Sequence, residues 1–513
     1  MATSPQVTLD LAGATADDVI AVARHEAQIN IAPQVLAELA SVRAHIDALA
    51  SADTPVYGIS TGFGALATRH IAPEDRAKLQ RSLIRSHAAG MGNPVEREVV
   101  RALMFLRAKT LASGRTGVRP VVLETMVGLL NAGITPVVRE YGSLGCSGDL
   151  APLSHCALVL MGEGEATDRD GVQRPVPELF AEAGLVPVEL AEKEGLALVN
   201  GTDGMLGQLL MALADLEELT DIADATAAMS VEAQLGTDQV FRSQLHEPLR
   251  PHPGQGRSAA NMFAFLADSP IVASHREGDG RVQDAYSLRC SPQVTGAVRD
   301  TIAHARLVAT RELAATIDNP VVLPSGEVTS NGNFHGAPVA YVLDFLAIAV
   351  ADLGSIAERR TDRMLDPARS RDLPAFLADD PGVDSGMMIA QYTQAGLVAE
   401  NKRLAVPASV DSIPSSAMQE DHVSLGWHAA RKLRTSVANL RRILAVEMLI
   451  AGRALDLRKP LQPGPATSDV LELLRTKVQG PGEDRFLSAE LEAADELLAT
   501  GQVHRVLQAH LPD

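Results

Sequence analysis

Residues 203–236, DGMLGQLLMALADLEELTDIADATAAMSVEAQLG, decide the fold of this 513-residue chain. The stretch contains no proline, and its leucines at positions 206, 210, 213 and 216 recur at the spacing of one helical face. This pattern predicts one continuous helix about 50 Å long, at roughly 1.5 Å per residue.

Two other stretches show the same periodicity. Residues 422–457 place leucines 425, 433, 440 and 444 on one stripe, with the basic residues mostly elsewhere, which predicts a second long helix. Residues 338–365 predict a third, opened by Pro338 at a position that helix starts tolerate. Aromatic residues make up only 3% of the chain while Ala and Leu abound, which favours helices over sheets. We therefore predict a mostly α protein.

The length of the chain exceeds that of one ordinary compact core, so two domains are expected. The first two hundred residues mix short helical patterns with glycine-rich turns. The simplest division is a turn-rich N-terminal domain, 1–205, which carries the chemistry, and a long-helix bundle core with C-terminal helices, 206–513.

Charge and cysteine content exclude several classes of function. The net charge is −19, from 64 acidic and 45 basic residues, without a basic arm, so neither nucleic acid nor an anionic membrane is an expected partner. The N-terminal segment lacks a basic region followed by an apolar block, and we expect neither a secretion signal nor a membrane span. Three cysteines without CxxC spacing indicate neither a disulfide framework nor a zinc cage. A reducing, cytoplasmic location fits best.

The most unusual segment is residues 142–155, GSLGCSGDLAPLSH. A nucleophile elbow, G-x-S-x-G, does not fit, because Asp149 occupies the position of the last glycine and no β-branched strand precedes the serine. An alternative chemistry uses the backbone. The amide nitrogen of Gly148 attacks the carbonyl carbon of Cys146, two waters leave, and Ser147 becomes a dehydroalanine within a methylidene-imidazolone ring.

The residue types in the triplet match what this ring requires. Ser147 has the hydroxyl that must be eliminated, and Gly148 lets the attacking nitrogen approach without a side chain in the way. Cys146 contributes only its backbone to the ring. On local pattern alone, an ordinary tight turn with a serine N-cap remains an alternative.

Seven strings resemble the histidine ammonia-lyase branch of the aromatic amino acid ammonia-lyases. They are YGISTGFG (57–64), SHAAG (86–90), GSLGCSGDLAPL (142–153), NGT (200–202), QDAYSLRC (283–290), NGNFHG (331–336) and SSAMQEDHVSLG (415–426). The resemblance implies a mostly α, fumarase/aspartase-like fold and a homotetramer whose active sites are each assembled from several subunits. It also implies that the electrophile forms from residues 146–148 with no added cofactor.

The chain departs from the family pattern at two places. The usual first residue of the triplet is alanine, where this chain has Cys146; the ring chemistry does not involve that side chain. After NGT the pattern more often continues with Gln-Ala, where this chain has Asp203-Gly204. The second departure leaves open how the chain packs behind Asn200.

Removing ammonia requires an electrophile, a base and an anchor for the carboxylate, because a β-hydrogen is barely acidic and ammonium is a poor leaving group. The resemblance implies that the electrophile is the exocyclic methylene derived from Ser147 and that the base is Tyr57. A free phenol has a pKa of about 10, so this role requires nearby positive charge or aligned N–H dipoles. The alternative for Tyr57 is packing of its loop onto the core.

The remaining roles follow from the same resemblance. Arg289 can bind the substrate carboxylate through a two-pronged hydrogen bond that lysine could not copy. Tyr286 and Asn200 position the amino group and the ring oxygen. Gln283 and Phe334 line the pocket, although Phe334 is equally compatible with a plain core role. Asp149 assists ring closure as an acid or base, with a helix N-cap as the alternative.

His87 and Glu420 indicate the substrate. A neutral imidazole has one donor and one acceptor, so a histidine side chain suits one end and a carboxylate the other. A carboxylate buried against a benzene ring would lose its hydration without gaining a hydrogen bond, so Glu420 favours L-histidine over phenylalanine or tyrosine as the substrate. A metal pair of Glu420 and His422 is not expected, because i, i+2 spacing on a helix does not aim both at one ion.

The expected reaction is therefore elimination of ammonia from L-histidine to give trans-urocanate. The nearest enzymatic rival is a tyrosine or phenylalanine ammonia-lyase or an aminomutase, which shares every feature except the pair His87 and Glu420. A catalytically silent helical scaffold is a rival from another class. The joint presence of four expected site residues speaks against it: Ser147, Tyr57, Arg289 and Asn200.

Overall fold

The computed structural model describes residues 5–51, 61 and 71–512. Helices dominate these residues, which confirms the predicted mostly α class. They are α1 (Ala16–Arg24), α2 (Pro33–Ala50), α3 (Arg76–His87), α4 (Arg97–Ala112), α5 (Pro120–Ala132), α6 (Leu150–Leu160), α7 (Val176–Ala183), α8 (Glu194–Ala197), α9 (Asp203–Ala233), α10 (Pro253–Phe265), α11 (Pro270–Ala273), α12 (Tyr286–Arg289), α13 (Ser291–Ala314), α14 (Ala337–Leu365), α15 (Met388–Leu404), α16 (Gly426–Leu457), α17 (Pro465–Arg475), α18 (Leu487–Ala499) and α19 (Gln502–Leu507).

The strands are short and form small separate sheets. They are β1 (Gln6–Leu9), β2 (Gln28–Ile31), β3 (Met91–Pro94), β4 (Thr135–Pro136), β5 (Arg139–Tyr141), β6 (Ala166–Thr167), β7 (Gln173–Arg174), β8 (Val321–Val322) and β9 (Val328–Thr329). Strands β1 and β2 pair in parallel, whereas β3–β5, β4–β6–β7 and β8–β9 are antiparallel. Each sheet has only two or three short strands and connects neighbouring loops and helices.

The three long helices predicted from periodicity are present. Helix α9 has 31 residues, a length of about 46 Å at 1.5 Å per residue, and α14 begins one residue before Pro338. Helix α16 begins at Gly426, so the predicted start at His422 was wrong. The reason is that Val423 N donates to Ser412 Oγ at 2.9 Å and Leu425, at φ +51°, donates to the Leu144 carbonyl at 2.9 Å.

The chain divides into two compact units. The first comprises Met1–Met211, Arg306–Asp344 and Pro407–Arg431; the second comprises Ala212–Ala305, Phe345–Val406 and Lys432–Asp513. The predicted boundary at 205/206 falls six residues before the end of the first segment. The prediction of two continuous domains did not include the two later returns of the chain to the first unit.

Buried cations organise the first unit around α4. Arg101 donates to the carbonyls of Val22 and Leu130, at 2.9 to 3.1 Å, and is fully buried. Arg107, also buried, forms an ion pair with Asp203 at the start of α9. Buried guanidinium groups require such partners because an unpaired charge in an apolar interior is costly. Arg101 thus joins α4 to the last turns of α1 and α5, and Arg107 joins α4 to the start of α9.

A second buried ion pair lies in the second unit. Arg360 of α14 pairs with Glu447 of α16, and the same carboxylate accepts Thr226 Oγ1 at 2.9 Å and Ser230 Oγ at 2.8 Å from α9. Helix α14 is the one described helix long and apolar enough to cross a bilayer, but 61% of its most apolar window is buried. That burial is typical of a core helix.

Candidate active site

The loop predicted to form the electrophile, residues 142–149 and called the electrophile loop below, lies against the NGT segment on one side. Gly148 adopts φ +79°, and a β-carbon at this position would overlap the carbonyl oxygen of Gly201. Gly148 and Gly201 form an isolated parallel bridge, and Asp149 N donates to the Gly201 carbonyl at 2.7 Å. Glycine is therefore required at 148 by both conformation and space, and the alternative of an ordinary serine-capped turn does not account for this close approach.

Two later segments contact the other side of the loop. Ser424 Oγ and Gly336 N both donate to the Gly145 carbonyl, at 2.8 and 3.2 Å. Gly145 adopts φ +68°, and a β-carbon there would overlap Ser424 Oγ. Four of the strings that resemble the family, which are far apart in sequence, thus meet at this loop within the first unit.

Glu420 lies beside the first residue of the triplet. Cys146 Sγ donates to Glu420 Oε2 at 3.1 Å, and Ser415 Oγ donates to the same oxygen at 3.2 Å. Cys146 is buried whereas Ser147 is half-buried. Burial, the charge of Glu420 and the hydrogen bond raise the pKa of the Cys146 thiol to about 12. The sulfur is therefore a neutral donor at physiological pH.

Asp149 is fully buried behind the triplet. Its Oδ2 accepts Met205 N at 2.9 Å, and its Oδ1 accepts Ser143 Oγ at 2.9 Å. The side chain makes no capping hydrogen bond to α6, which begins at the next residue, so the N-cap alternative was wrong for that helix. Burial raises the pKa of the carboxyl group to about 7. A group with this pKa can both donate and accept a proton near neutral pH.

The departure at residues 203–204 has a local explanation. Asp203 pairs with Arg107, which also donates to the Ala197 carbonyl at 3.1 Å, so the ion pair braces the chain on both sides of Asn200. A β-carbon at Gly204 would overlap the indole of Trp427 and approach Asp149 Oδ2 to 3.0 Å. Both residues are thus fitted to their neighbours in this chain.

Asn200 is buried with its amide oriented by the backbone. Nδ2 donates to the carbonyls of Asn319, at 3.0 Å, and Leu196, at 3.3 Å. Both amide hydrogens are used, which leaves Oδ1 as an acceptor. In this arrangement Asn200 can accept a hydrogen bond from an ammonium group but has no amide hydrogen left for a ring oxygen.

His87 is the last residue of α3 and is half-buried. Its Nδ1 lies 3.0 Å from Ser86 Oγ. Burial lowers the pKa of the imidazole, while the negative charge of Glu420 acts in the opposite direction. Phe334 lies half-buried in the loop before α14, and the next residue, His335, stacks on His422 with ring centroids 5.6 Å apart. The ring of His422 thus packs against His335.

The second unit contains Gln283, Tyr286 and Arg289. Arg289 Nη2 donates to Gln283 Oε1 at 2.8 Å, and the guanidinium carbon lies 4.7 Å from the centroid of the Tyr286 ring. Arg289 Nε is buried without a hydrogen-bond partner among the described residues, and Tyr286 is 72% exposed. The arginine is therefore oriented by two neighbours with donors left for a carboxylate.

Comparison with known proteins assigns the chain to a family. A family model described as aromatic amino acid lyase matches residues 14–476. The chain belongs to the aromatic amino acid lyase family. The predicted family and the predicted class of enzyme, a carbon–nitrogen lyase, are thereby confirmed.

Other members of the aromatic amino acid lyase family match along nearly their full length. The chain is 67% identical to the histidine ammonia-lyase of Streptomyces avermitilis over 97% of both chains, and 48% identical to that of Deinococcus radiodurans over 96% of this chain and 94% of that protein. Among solved structures, the tyrosine aminomutase of Streptomyces globisporus matches with a TM-score of 0.94 at 37% identity over 99% of both chains. The histidine ammonia-lyase of Trypanosoma cruzi matches with a TM-score of 0.90 at 38% identity, over 99% of this chain and 96% of that chain.

Some contacts of this lyase site were not foreseen from its sequence. Ser143, Ser415 and Ser424 lie inside the strings quoted above, so a search for hydroxyl groups beside the triplet and Glu420 would have found them. Arg107 lies in an ordinary helical pattern of α4, where nothing in the sequence signals its pairing with Asp203. Tyr57, the predicted base, lies outside the described residues.

Proposed function

We propose that this member of the aromatic amino acid lyase family is a histidine ammonia-lyase, which converts L-histidine to trans-urocanate and ammonium, the first step of histidine degradation. The observation that carries the proposal is the position of Glu420. Its Oε2 accepts a hydrogen bond from Cys146 Sγ of the triplet at 3.1 Å, and its charge raises the pKa of His87 against the effect of burial. An imidazole N–H can use this carboxylate, whereas a phenyl ring cannot. The names of the 67% and 48% identical relatives support the same substrate.

The electrophile in this proposal is a 4-methylidene-imidazol-5-one made from Cys146-Ser147-Gly148, with no added cofactor. The residues fit such a group, because Gly148 has a positive φ and no room for a β-carbon, and Ser147 is the half-buried residue of the triplet. Once formed, the group supplies an electron-poor methylene that activates the substrate for loss of ammonia. Asp149, with a pKa of about 7, is placed to move protons during ring closure.

The protein side chains have separate tasks in the elimination. Arg289 binds the substrate carboxylate through its fork of N–H donors, with Gln283 and Tyr286 fixing its orientation. Asn200 Oδ1 and the Tyr286 hydroxyl accept from the ammonium group. Tyr57 takes the β-proton as the C–N bond breaks, and the electron pair of the broken C–H bond forms the Cα=Cβ double bond of trans-urocanate.

His87 and Glu420 select the side chain of the substrate. Burial keeps the pKa of His87 below its ordinary value, so its ring is neutral at physiological pH and offers one donor and one acceptor. Glu420 accepts an imidazole N–H of the substrate, and Phe334 lines the pocket. No metal is assigned a role.

The proposed assembly is a homotetramer with shared active sites in the cytoplasm, with the small-molecule substrate as partner and neither nucleic acid nor membrane. In support, Gln283 and Tyr286 are exposed in the single chain although they carry chemistry. Helix α14 also exposes large apolar side chains at Tyr341 (50%), Phe345 (47%) and Ile348 (49%). Exposed apolar rows of this kind mark surfaces that a second chain buries.

An absorbance scan with three substrates tests the proposal. L-histidine, L-tyrosine and L-phenylalanine each give a conjugated acrylate with its own absorption band. We expect the urocanate band to appear with L-histidine much faster than the product bands appear with the other two amino acids. Preferential formation of a coumarate or cinnamate band would contradict the proposed substrate and would favour the tyrosine or phenylalanine enzymes as the function.

A further inference from the structure

The carboxylate of Glu420 is fixed through one of its two oxygens. The backbone pairs with Ser415, whose N–H donates to the Glu420 carbonyl at 2.9 Å and whose carbonyl accepts Glu420 N at 3.3 Å. Oε2 accepts both Ser415 Oγ, at 3.2 Å, and Cys146 Sγ, at 3.1 Å. Oε1 accepts no hydrogen bond from any residue within 71–512. Among the described residues, one oxygen is thus taken by protein donors and the other accepts none.

The two donors to Oε2 differ in what they connect. Ser415 is only five residues from Glu420 and pairs with it in the same short hairpin. Cys146 is 274 residues away and belongs to the electrophile loop. The S–H···O bond is therefore the side-chain contact that ties Glu420 directly to the triplet. It sets the distance between the carboxylate and the residues that form the electrophile.

The surroundings of Cys146 keep its thiol protonated. The side chain packs with the buried residues Val423 and Leu425, and Leu144 and Ala408 pack against this apolar cluster. Burial and the charge of Glu420 raise the pKa of the thiol to about 12. Sulfur is therefore the donor and Glu420 the acceptor, which agrees with a buried thiol that is not a nucleophile.

We propose that Cys146 is a positioning residue for Glu420, whose S–H···Oε2 bond aligns the carboxylate so that Oε1 receives the imidazole N–H of the substrate. The inference rests on the proposed function, because it assumes that Glu420 binds the imidazole. Alanine, the residue that is usual at this position in the family, has no donor. In this chain, the first residue of the triplet thus supports substrate recognition through its side chain and contributes its backbone to the electrophile.

The kinetic test compares three variants. Cys146→Ala keeps the backbone of the triplet but loses the donor, so kcat/KM for L-histidine should fall about twofold to tenfold, the range of a single modest hydrogen bond, mainly through KM. Cys146→Ser restores a donor and should recover part of the loss. Cys156→Ala removes another buried thiol in the first unit, at α6, and serves as the matched control with unchanged kinetics.

Two further measurements decide whether Cys146 acts through Glu420. In the Glu420→Ala background, Cys146→Ala should have no further effect on kcat/KM. The infrared S–H stretch of Cys146, obtained as the difference between wild type and Cys146→Ala, should lie at the low frequency of a hydrogen-bonded thiol. It should move to higher frequency in Glu420→Ala. If Glu420→Ala leaves too little turnover to measure, the infrared result alone decides whether Cys146 acts through Glu420.

The outcomes separate this inference from the proposed function. If Glu420→Ala does not change histidine turnover, the proposed use of Glu420 fails and the inference fails with it. If Glu420→Ala lowers turnover but Cys146→Ala matches wild type, or loses the same factor in both backgrounds, the positioning role alone is overturned. An S–H band that does not respond to Glu420→Ala also overturns it.

Discussion

The electrophile loop of the first unit and the segment 283–290 of the second unit, both proposed to carry chemistry, differ in how far their side chains are enclosed. The loop is enclosed by its own unit: Gly148 lies on Gly201, and Gly145 lies under Ser424, with almost no exposed side chain. Val282, just before the segment, is 96% exposed, and Tyr286 within it is 72% exposed. Arg289 keeps a buried N–H without a partner among the described residues. The described contacts of the loop thus come from its own unit, whereas the segment presents exposed side chains that another surface can cover.

The largest effect is expected from the enclosed loop. Ser147→Ala removes the hydroxyl that ring formation must eliminate, so activity should fall by at least about a thousandfold while the fold is kept. Turnover of L-histidine and a thermal unfolding scan measure the two quantities. Substantial turnover by this variant would show that the loop is not the source of the electrophile. Cys146→Ala, which keeps the hydroxyl, is the matched control and should remain active.

The second effect concerns the exposed segment. Arg289→Ala should lower kcat/KM for L-histidine by about a hundredfold, because charge-assisted hydrogen bonds to the substrate carboxylate are lost. Arg289→Lys keeps the charge but not the fork, so it should lie between wild type and alanine. Steady-state kinetics of both variants measure this. Equal activities of all three proteins would show that the substrate carboxylate is bound elsewhere.

The third effect lies within the first unit, at the proposed substrate-selecting pair His87 and Glu420. Glu420→Gln keeps the shape of the side chain but loses its charge, and kcat/KM for L-histidine should fall about tenfold to a hundredfold. His87→Phe should act in the same direction and make the pocket more favourable to phenyl substrates. Kinetics on histidine and phenylalanine measure both. Unchanged histidine turnover in both variants would remove the chemical basis for L-histidine as substrate.

The smallest effect is a pH dependence of stability from Asp149. Burial raises the pKa of this carboxyl group to about 7 in the folded state, against about 3.9 in an unfolded chain. A raised pKa stabilises the fold fully below about pH 4, and this contribution is lost as the pH rises through about 7. The Tm of wild type relative to Asp149→Asn should therefore fall across this range. Parallel Tm curves would show that the carboxyl group titrates normally.

The sequence predicted the parts of this molecule that repeat or that tolerate only one residue type. Periodic leucines predicted α9, and Gly148 after Ser147 indicated a backbone position that must lack a side chain. The close approach of Gly148 to Gly201 was found only in the structure. The start of α16 was wrong because Leu425 bonds to the electrophile loop, a contact that periodicity does not encode.

Long-range pairing accounts for what could not be predicted. The Arg107–Asp203 ion pair joins residues 96 positions apart, and nothing in either local pattern indicates the other. The same holds for the return of residues 306–344 and 407–431 to the first unit. Roles for Tyr57, Arg289 and the other site residues came from resemblance and stay predictions.

The proposal that the electrophile forms from residues 146–148 is tested by the intact mass of the active wild-type protein, with peptide mapping of the segment that contains these residues. We expect a chain lighter by two waters than its sequence, with the loss confined to this segment and absent from Ser147→Ala. An active wild-type preparation with the unmodified mass would contradict it.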